Sequence, residues 1–249
     1  MKIIALEFYK NGEMQESFAF GGSRAQEKIN EDKTYPSSLQ NYLIDTGKEV
    51  ILVDTGLPVE TTDFKKEPNQ KLYVGEKVND FLTAFQKTGY KPEDVNKIIV
   101  THKHPDHTGE LKLFPKAKVY ISEIEAQAMK LQGENIVPVS FKDGAYKNFK
   151  ESEKITDDIV MLPAYGHTKG NSIAVIESDG LYYMIQGDVT YTDEALRQSE
   201  LSVVFEDIEL AKETLANVRE FVKENDTVYL STHTPEALTS LAQKQIMKL

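Results

Sequence analysis

Three histidines and an aspartate fall within six consecutive residues of this chain, in the segment Thr101-His102-Lys103-His104-Pro105-Asp106-His107. A buried imidazole needs a partner for each ring nitrogen, so core packing alone rarely explains three of them together. Imidazole and carboxylate groups are ligands of divalent metal ions. We therefore predict a metal site, in which His102 and His104, two residues apart in an extended segment, can bind one ion. Asp106 and His107, beyond the turn at Pro105, can bind a second.

The remaining two histidines, His167 and His233, each stand just past an apolar run that is typical of a strand. Asp188, in Gln186-Gly187-Asp188, follows a third such run. Taken alone, each of these would be an ordinary turn, capping or surface residue. With the first cluster present, they complete a set of metal ligands. The chain has no cysteine, so His, Asp and Glu are the ligands available.

Short runs rich in β-branched residues predict the strands that must position these side chains. The runs are Val50–Val53, Ile98–Val100, Val119–Ile121, Ile159–Leu162, Tyr182–Ile185 and Val228–Leu230. The metal-ligand candidates follow four of them directly. Strand ends are where layered α/β proteins place their sites, because the sheet fixes the backbone there and the next loop presents side chains.

Helical spacing of apolar residues predicts three helices. The first carries Val78 to Phe85 and closes at Gly89; the third carries Ile208 to Val222. The second carries Ile124 to Leu131, and we expect Ser122-x-x-Glu125 to form a capping box at its start. No repeat or linker divides the chain, so we predict one layered α/β domain over residues 1–249. Longer connections remain at 20–36, 60–75 and 133–153, and the first two are candidates for a lid or for partial disorder.

The charge and composition of the chain argue against some classes of partner. A net charge of −11 gives no basic surface for a phosphate backbone or an anionic membrane, so we expect no nucleic acid and no membrane partner. The first apolar run ends at Glu7, too early for a secretory signal. These features predict a soluble, cytoplasmic protein that acts on a small molecule. They leave its oligomeric state open, a homodimer included.

The ordered motifs resemble those of the metallo-β-lactamase superfamily. The matching segments are His-x-His-x-Asp-His at 102–107, Gly-His-Thr at 166–168, Gly-Asp at 187–188, His233, and Leu52-Val53-Asp54-Thr55-Gly56. The resemblance spans most of the chain and implies a four-layer αββα sandwich. It also implies two divalent metal ions, zinc by preference with iron or manganese as alternatives. A hydroxide held between the two ions would attack the substrate carbonyl.

The same resemblance implies a division of the ligands between the two ions. The first ion would be bound by His102, His104 and His167, the second by Asp106, His107 and His233, with Asp188 bridging them. Asp54 would support the loops that carry these ligands.

Within the superfamily, Asp188-Val189-Thr190-Tyr191 resembles the N-acyl-homoserine lactone lactonases, as do Gly89-Tyr90-Lys91-Pro92-Glu93-Asp94 and Phe205-Glu206-Asp207. This resemblance implies that Tyr191 stabilises the oxyanion and that Asp106 passes a proton to the leaving alkoxide. The sequence departs from the lactonase pattern at Pro105, where a large apolar residue is common. It departs again at Lys169 and Asn171, which replace the usual proline and histidine.

Three other functions remain open. Glyoxalase II-like thioesterases share the ligands but usually add a helical extension, whereas sixteen residues follow His233. Iron-dependent redox members usually replace the second histidine by glutamate, and this chain has His104 there. A non-catalytic metal-binding module would hold the metals in a closed site.

Overall fold

The computed structural model describes residues 1–249, which form twelve strands and seven α-helices. The strands are β1 (Lys2–Gln15), β2 (Thr34–Asp45), β3 (Val50–Val53), β4 (Leu72–Lys77), β5 (Val95–Val100), β6 (Lys118–Ser122), β7 (Ile136–Val139), β8 (Glu153–Lys154), β9 (Ile159–Pro163), β10 (Ser172–Ser178), β11 (Leu181–Ile185) and β12 (Thr227–Leu230). The helices are α1 (Glu16–Ala19), α2 (Phe81–Gln86), α3 (Pro105–Thr108), α4 (Glu123–Ala128), α5 (Asp193–Gln198), α6 (Ile208–Glu224) and α7 (Glu236–Gln243). None of these helices is long and apolar enough to cross a membrane.

Two mixed sheets organise the strands. The first has seven strands in the order β4-β1-β2-β3-β5-β6-β7, and the second has five in the order β12-β11-β10-β9-β8. In the first sheet β3, β5, β6 and β7 run parallel; in the second only β11 and β12 do. Parallel neighbours end at the same edge of a sheet, so the loops that follow β3 and β5 emerge side by side.

Alternating side chains of the strands divide between separate apolar layers. In β5, Ile98 and Val100 pack toward α2 and α4, whereas Ile99 faces the other sheet. In β9, Met161 faces the first sheet and Leu162 packs toward α6. Both sheets are therefore covered on two faces, which is why strands such as β3 and β9 contain continuous apolar runs. The result is the predicted four-layer αββα sandwich.

All six predicted strands and all three predicted helices are present. Six further strands, β1, β2, β4, β7, β8 and β10, were not predicted. The capping box predicted before α4 is wrong in one of its two hydrogen bonds. The Ser122 hydroxyl does accept a hydrogen bond from the Glu125 amide at 3.2 Å, but the Glu125 carboxylate bonds to Lys103 and Gly170 instead of returning to Ser122.

The three long connections contain unpredicted strand residues. β2 begins at Thr34, β4 begins at Leu72, and β7 lies inside the third connection. The segment between α1 and β2 is also fastened to the rest of the fold. Arg24 donates to Glu16 at 2.8 Å and to Glu200 at 3.1 Å. These contacts tie the part of the segment around Arg24 to α1 and to the residues that follow α5.

Candidate metal centre

Five loops, each following a strand, converge on one edge of the sandwich. They follow β3, β5, β9, β11 and β12, and they carry Asp54, the 102–107 cluster, His167, Asp188 and His233. Gly187 precedes Asp188 with a φ of +57°, and a Cβ there would lie 2.9 Å from the Thr101 hydroxyl. Glycine is needed at this position because the β11 loop turns against the β5 loop.

Three histidines form the first cluster. The distances are 3.0 Å from His102 Nε2 to His104 Nδ1, 3.2 Å from His102 Nε2 to His167 Nε2, and 3.0 Å from His104 Nδ1 to His167 Nε2. Asp188 Oδ2 is the fourth member, 3.5 Å from His167 Nε2. The other ring nitrogen of His167 donates to the Val204 carbonyl at 3.0 Å, which fixes the ring and leaves Nε2 facing the cluster.

Two histidines and two aspartates form the second cluster. Asp188 Oδ1 lies 3.3 Å from His107 Nε2, and Asp188 Oδ2 lies 3.2 Å from His233 Nε2. Asp106 Oδ2 completes the cluster, 3.6 Å from His107 Nε2 and 3.3 Å from His233 Nε2. Asp188 belongs to both clusters. The structure thus brings together all seven residues predicted as metal ligands, in the two predicted groups.

The spacing of the ring nitrogens suits coordination of a cation. Four ligand atoms around a tetrahedral zinc ion, each at about 2.0–2.1 Å, lie about 3.3 Å apart, which is close to the spacing of the three-histidine cluster. In the second cluster, His107 Nε2 and Asp188 Oδ1 are buried and have no hydrogen-bond partner. Buried polar atoms are rarely left unpaired, so these atoms are suited to binding an ion.

Burial disfavours the charged form of two histidines of the first cluster, His102 and His167. It lowers the pKa of His102 well below the ordinary value for histidine, and the neighbouring His107 and His167 lower it further. Burial also lowers the pKa of His167 to about 4, although the Asp188 carboxylate opposes the shift. A metal ion binds the neutral imidazole, so these rings need not lose a proton at neutral pH before binding.

Carboxylates give the second cluster the opposite character. Burial lowers the pKa of His233, but Asp188 and Asp106 outweigh it and raise that pKa to about 9. Burial would raise the pKa of Asp188, but His233 and His107 hold it well below the ordinary value. The two carboxylates therefore favour positive charge in this half of the site, and a divalent cation can supply it.

Asp54 fastens the second cluster to the first sheet. Its Oδ2 accepts from His107 Nδ1 at 2.7 Å and from the Thr101 hydroxyl at 2.8 Å, and its Oδ1 accepts from the Thr101 amide at 2.8 Å. The bond to Nδ1 sets the tautomer that turns His107 Nε2 toward Asp188. The contact supports the predicted role of Asp54 in holding the ligand loops.

Tyr191 lies against the ligands and not on a distant wall. Its hydroxyl donates to Asp188 Oδ2 at 2.9 Å, and its ring stacks on His233 with centroids 4.8 Å apart. Phe18 packs edge-on against the same ring. The side chain is 4% exposed. Burial raises the pKa of Tyr191 well above the usual value, and Asp188 and Asp106 add to the shift, so the hydroxyl keeps its proton.

Several supporting residues were not predicted, among them β2 residues that hold the last ligand loop. Gln40 is buried and donates to the carbonyls of Ser231 and Thr234 at 2.8 and 2.9 Å. The Ser38 amide donates to the His233 carbonyl at 3.1 Å. The polar side chains of Ser38 and Gln40 also interrupt the apolar pattern of β2.

A known protein family matches most of this chain. The family model described as "Metallo-beta-lactamase superfamily" matches residues 38–233, which include every ligand candidate. An N-acyl homoserine lactonase of Bacillus cereus is 26% identical over 205 residues, covering 77% of this chain and 79% of that protein.

Solved structures share the fold. A quorum-quenching N-acyl homoserine lactone hydrolase superposes with a TM-score of 0.74 at 20% identity, covering 96% of this chain and 94% of the other. A dizinc quorum-quenching lactonase, solved with the product N-hexanoyl-L-homoserine, superposes with a TM-score of 0.66 at 17% identity, covering 94% and 87%.

Proposed function

Since the chain belongs to the metallo-β-lactamase superfamily, we propose that it is a binuclear metal-dependent hydrolase that opens lactone rings of the N-acyl-homoserine lactone type. The observation that carries this proposal is the pair of ligand clusters that share Asp188, with the Tyr191 hydroxyl bonded to the same carboxylate. Two divalent ions, zinc by preference, would be bound there. The family and the lactonase relatives support a hydrolase, and the ligand geometry supports two ions.

The ligands divide between the two proposed ions. The first ion would be held by His102, His104 and His167, the second by Asp106, His107 and His233, and both by Asp188. When bound, divalent ions polarise a carbonyl group and lower the pKa of a coordinated water, so that a nucleophile is available near neutral pH. The side chains around the ions must then orient the substrate and move protons.

Asp106 is the candidate for proton transfer. It is the more exposed of the two aspartates in the clusters: 22% of its side chain is accessible, whereas 2% of that of Asp188 is. Its carboxylate can therefore take the proton that the attacking water loses and pass it to the leaving alkoxide when the ring C–O bond breaks. A group placed in this way contributes roughly 10²–10⁴-fold to such a reaction.

Tyr191 is the candidate donor to the carbonyl oxygen. Because its hydroxyl keeps its proton, it can exchange the bond to Asp188 for one to an oxygen that gains negative charge. The stack on His233 and the edge contact with Phe18 hold the ring in place, so little reorganisation is needed.

The side chains beside His167 are mostly apolar. Leu201, Val204 and Phe205, from the loop before α6, are among them. The protein's net charge of −11 disfavours polyanions. Both features support an uncharged lactone with an apolar chain over a nucleic acid.

A hydrolysis screen tests the substrate class. Zinc-loaded protein would be assayed with a pH indicator on acyl lactones, thioesters, phosphodiesters and β-lactams, beside His104→Ala as the control. We expect the highest kcat/KM on acyl lactones, and loss of that activity in the variant. A preference for thioesters would replace the lactonase assignment with a glyoxalase II-like one. Bound metal with no turnover on any class would contradict a hydrolase altogether.

A further inference from the structure

Glu125 joins the two loops that carry the three-histidine cluster. Its side chain is fully buried, and it lies at the start of α4, outside both ligand clusters. Oε2 accepts a hydrogen bond from the Lys103 amide at 2.9 Å, and Oε1 accepts one from the Gly170 amide at 2.8 Å. Lys103 separates His102 from His104, and Gly170 is three residues beyond His167. One carboxylate therefore spans the gap between these loops.

The lack of a side chain at Gly170 leaves room for this carboxylate. A Cβ at residue 170 would lie 2.4 Å from the Ser122 hydroxyl and 2.8 Å from Glu125 Cγ and Oε1. Real Cβ contacts are not that short, so any larger residue would push the loop away from α4. The close approach of backbone and carboxylate explains the glycine at this position.

A second carboxylate crosses the same gap from outside. Glu206 Oε1 accepts from Lys103 Nζ at 2.7 Å, and its Oε2 accepts from the Lys169 amide at 2.9 Å. Its side chain is 33% exposed. Solvent weakens charged contacts of this kind, whereas a buried carboxylate that bonds two amides has no water to replace them. Glu125 is thus the stronger of the two bridges.

We propose that Glu125 is a positioning residue that sets the metal affinity of the three-histidine cluster by fixing the His102–His104 loop against the His167 loop. The inference rests on the proposed metal site. A metal ion bound by ligands from two loops is held tightly only if the loops are already at the right separation. Glu125 supplies that separation through backbone amides, so its effect does not depend on the side chain of Lys103.

Glu125→Gln is the direct test, because it keeps the size of the side chain. The amide NH₂ group must face one of the two backbone N–H groups, and two donors cannot bond to each other. Ser122→Ala is the matched control: it removes the cap of the same helix without touching either bond of Glu125. Glu206→Gln tests the outer bridge.

Metal affinities would be measured by chelator competition, with histidine ring resonances identifying the cluster that each ion occupies. In Glu125→Gln we expect affinity at the three-histidine cluster to fall by about 10- to 100-fold, with that of the other cluster little changed. Amide exchange at Lys103 and Gly170 should also accelerate in the metal-free protein. Ser122→Ala should lower the Tm without changing either affinity, and Glu206→Gln should have the smaller effect on affinity.

Equal weakening of both clusters, or unchanged affinities with faster exchange, would overturn the proposal and leave Glu125 a purely structural residue. If Glu125→Gln does not fold, Gly170→Ala, which displaces the same loop, must show the selective loss. Wild-type protein that binds no metal would contradict the proposed function. Wild type with two ions and a Glu125 variant indistinguishable from it would contradict only this inference.

Discussion

Replacing Asp188 with asparagine should abolish tight binding of both metal ions and reduce lactone hydrolysis by about 10³-fold or more, since the reaction then loses the polarisation that the metals supply. Asp188 is the one residue common to both clusters, with Oδ2 3.5 Å from His167 and 3.2 Å from His233. An amide keeps the size of the side chain but lacks the negative charge that balances two cations. Metal content after dialysis and kcat/KM on an acyl lactone measure the two effects.

Asp193→Asn is the matched control for this prediction. Asp193 is also a buried aspartate, five residues farther along, but it belongs to neither cluster. Burial and the nearby Glu236 raise its pKa to about 6, so its carboxylate is already disfavoured and an amide should be tolerated. We expect this variant to keep both ions and its activity. An Asp188→Asn protein that kept two ions and wild-type turnover would show that the clusters are not joined through this residue.

Tyr191→Phe should keep both metals and lose about 10²-fold in kcat on lactones, the low end of the range for one donor to a developing oxyanion. Phenylalanine preserves the stack on His233 and the contact with Phe18, and it removes only the hydroxyl that bonds Asp188. The loss should therefore appear in kcat more than in KM. Steady-state kinetics on an acyl lactone, with metal content measured in parallel, test this expectation.

Tyr229→Phe provides the comparison. Its hydroxyl is also buried, and it pairs with the Thr190 hydroxyl at 2.9 Å and with none of the ligand candidates. Removing it should cost about 1 kcal/mol of stability and leave kcat nearly unchanged. If the Tyr191 variant hydrolysed every lactone and ester as fast as wild type, Tyr191 would be a packing residue, and the lactonase assignment would lose its main support.

The sequence allowed the ligands to be predicted because their chemistry leaves few alternatives. Five histidines and Asp188 follow apolar runs that are recognisable as buried strands, and the ends of such strands meet at one edge of a sheet. The layered fold followed from the same runs. Both sheets are covered on two faces, so Ile98–Val100 at the end of β5 and Ile159–Leu162 in β9 are continuous apolar runs that are easy to detect.

Strands that carry buried polar side chains were harder to recognise from the sequence. Eight of the twelve residues of β2 are buried, yet the strand carries Ser37, Ser38, Gln40 and Asn41, which break the apolar pattern. Gln40 and Asn41 bond to loops of the site. In β1 the pairing register shifts twice, and Asn11 has a φ of +58°, so alternation is lost along a long strand. Glu125 shows the same limit for side chains: its sequence position fits a capping box, and only the fold reveals that two distant loops take its carboxylate.

The central claim is that the two clusters hold two divalent ions and that hydrolysis depends on both. The most direct measurement is a titration of metal-free protein with zinc, in which bound metal and lactone hydrolysis are followed together. We predict two equivalents bound per chain, with activity reaching its maximum only when the second equivalent is bound. Saturation at one equivalent with full activity, or hydrolysis by the metal-free protein, would contradict the account.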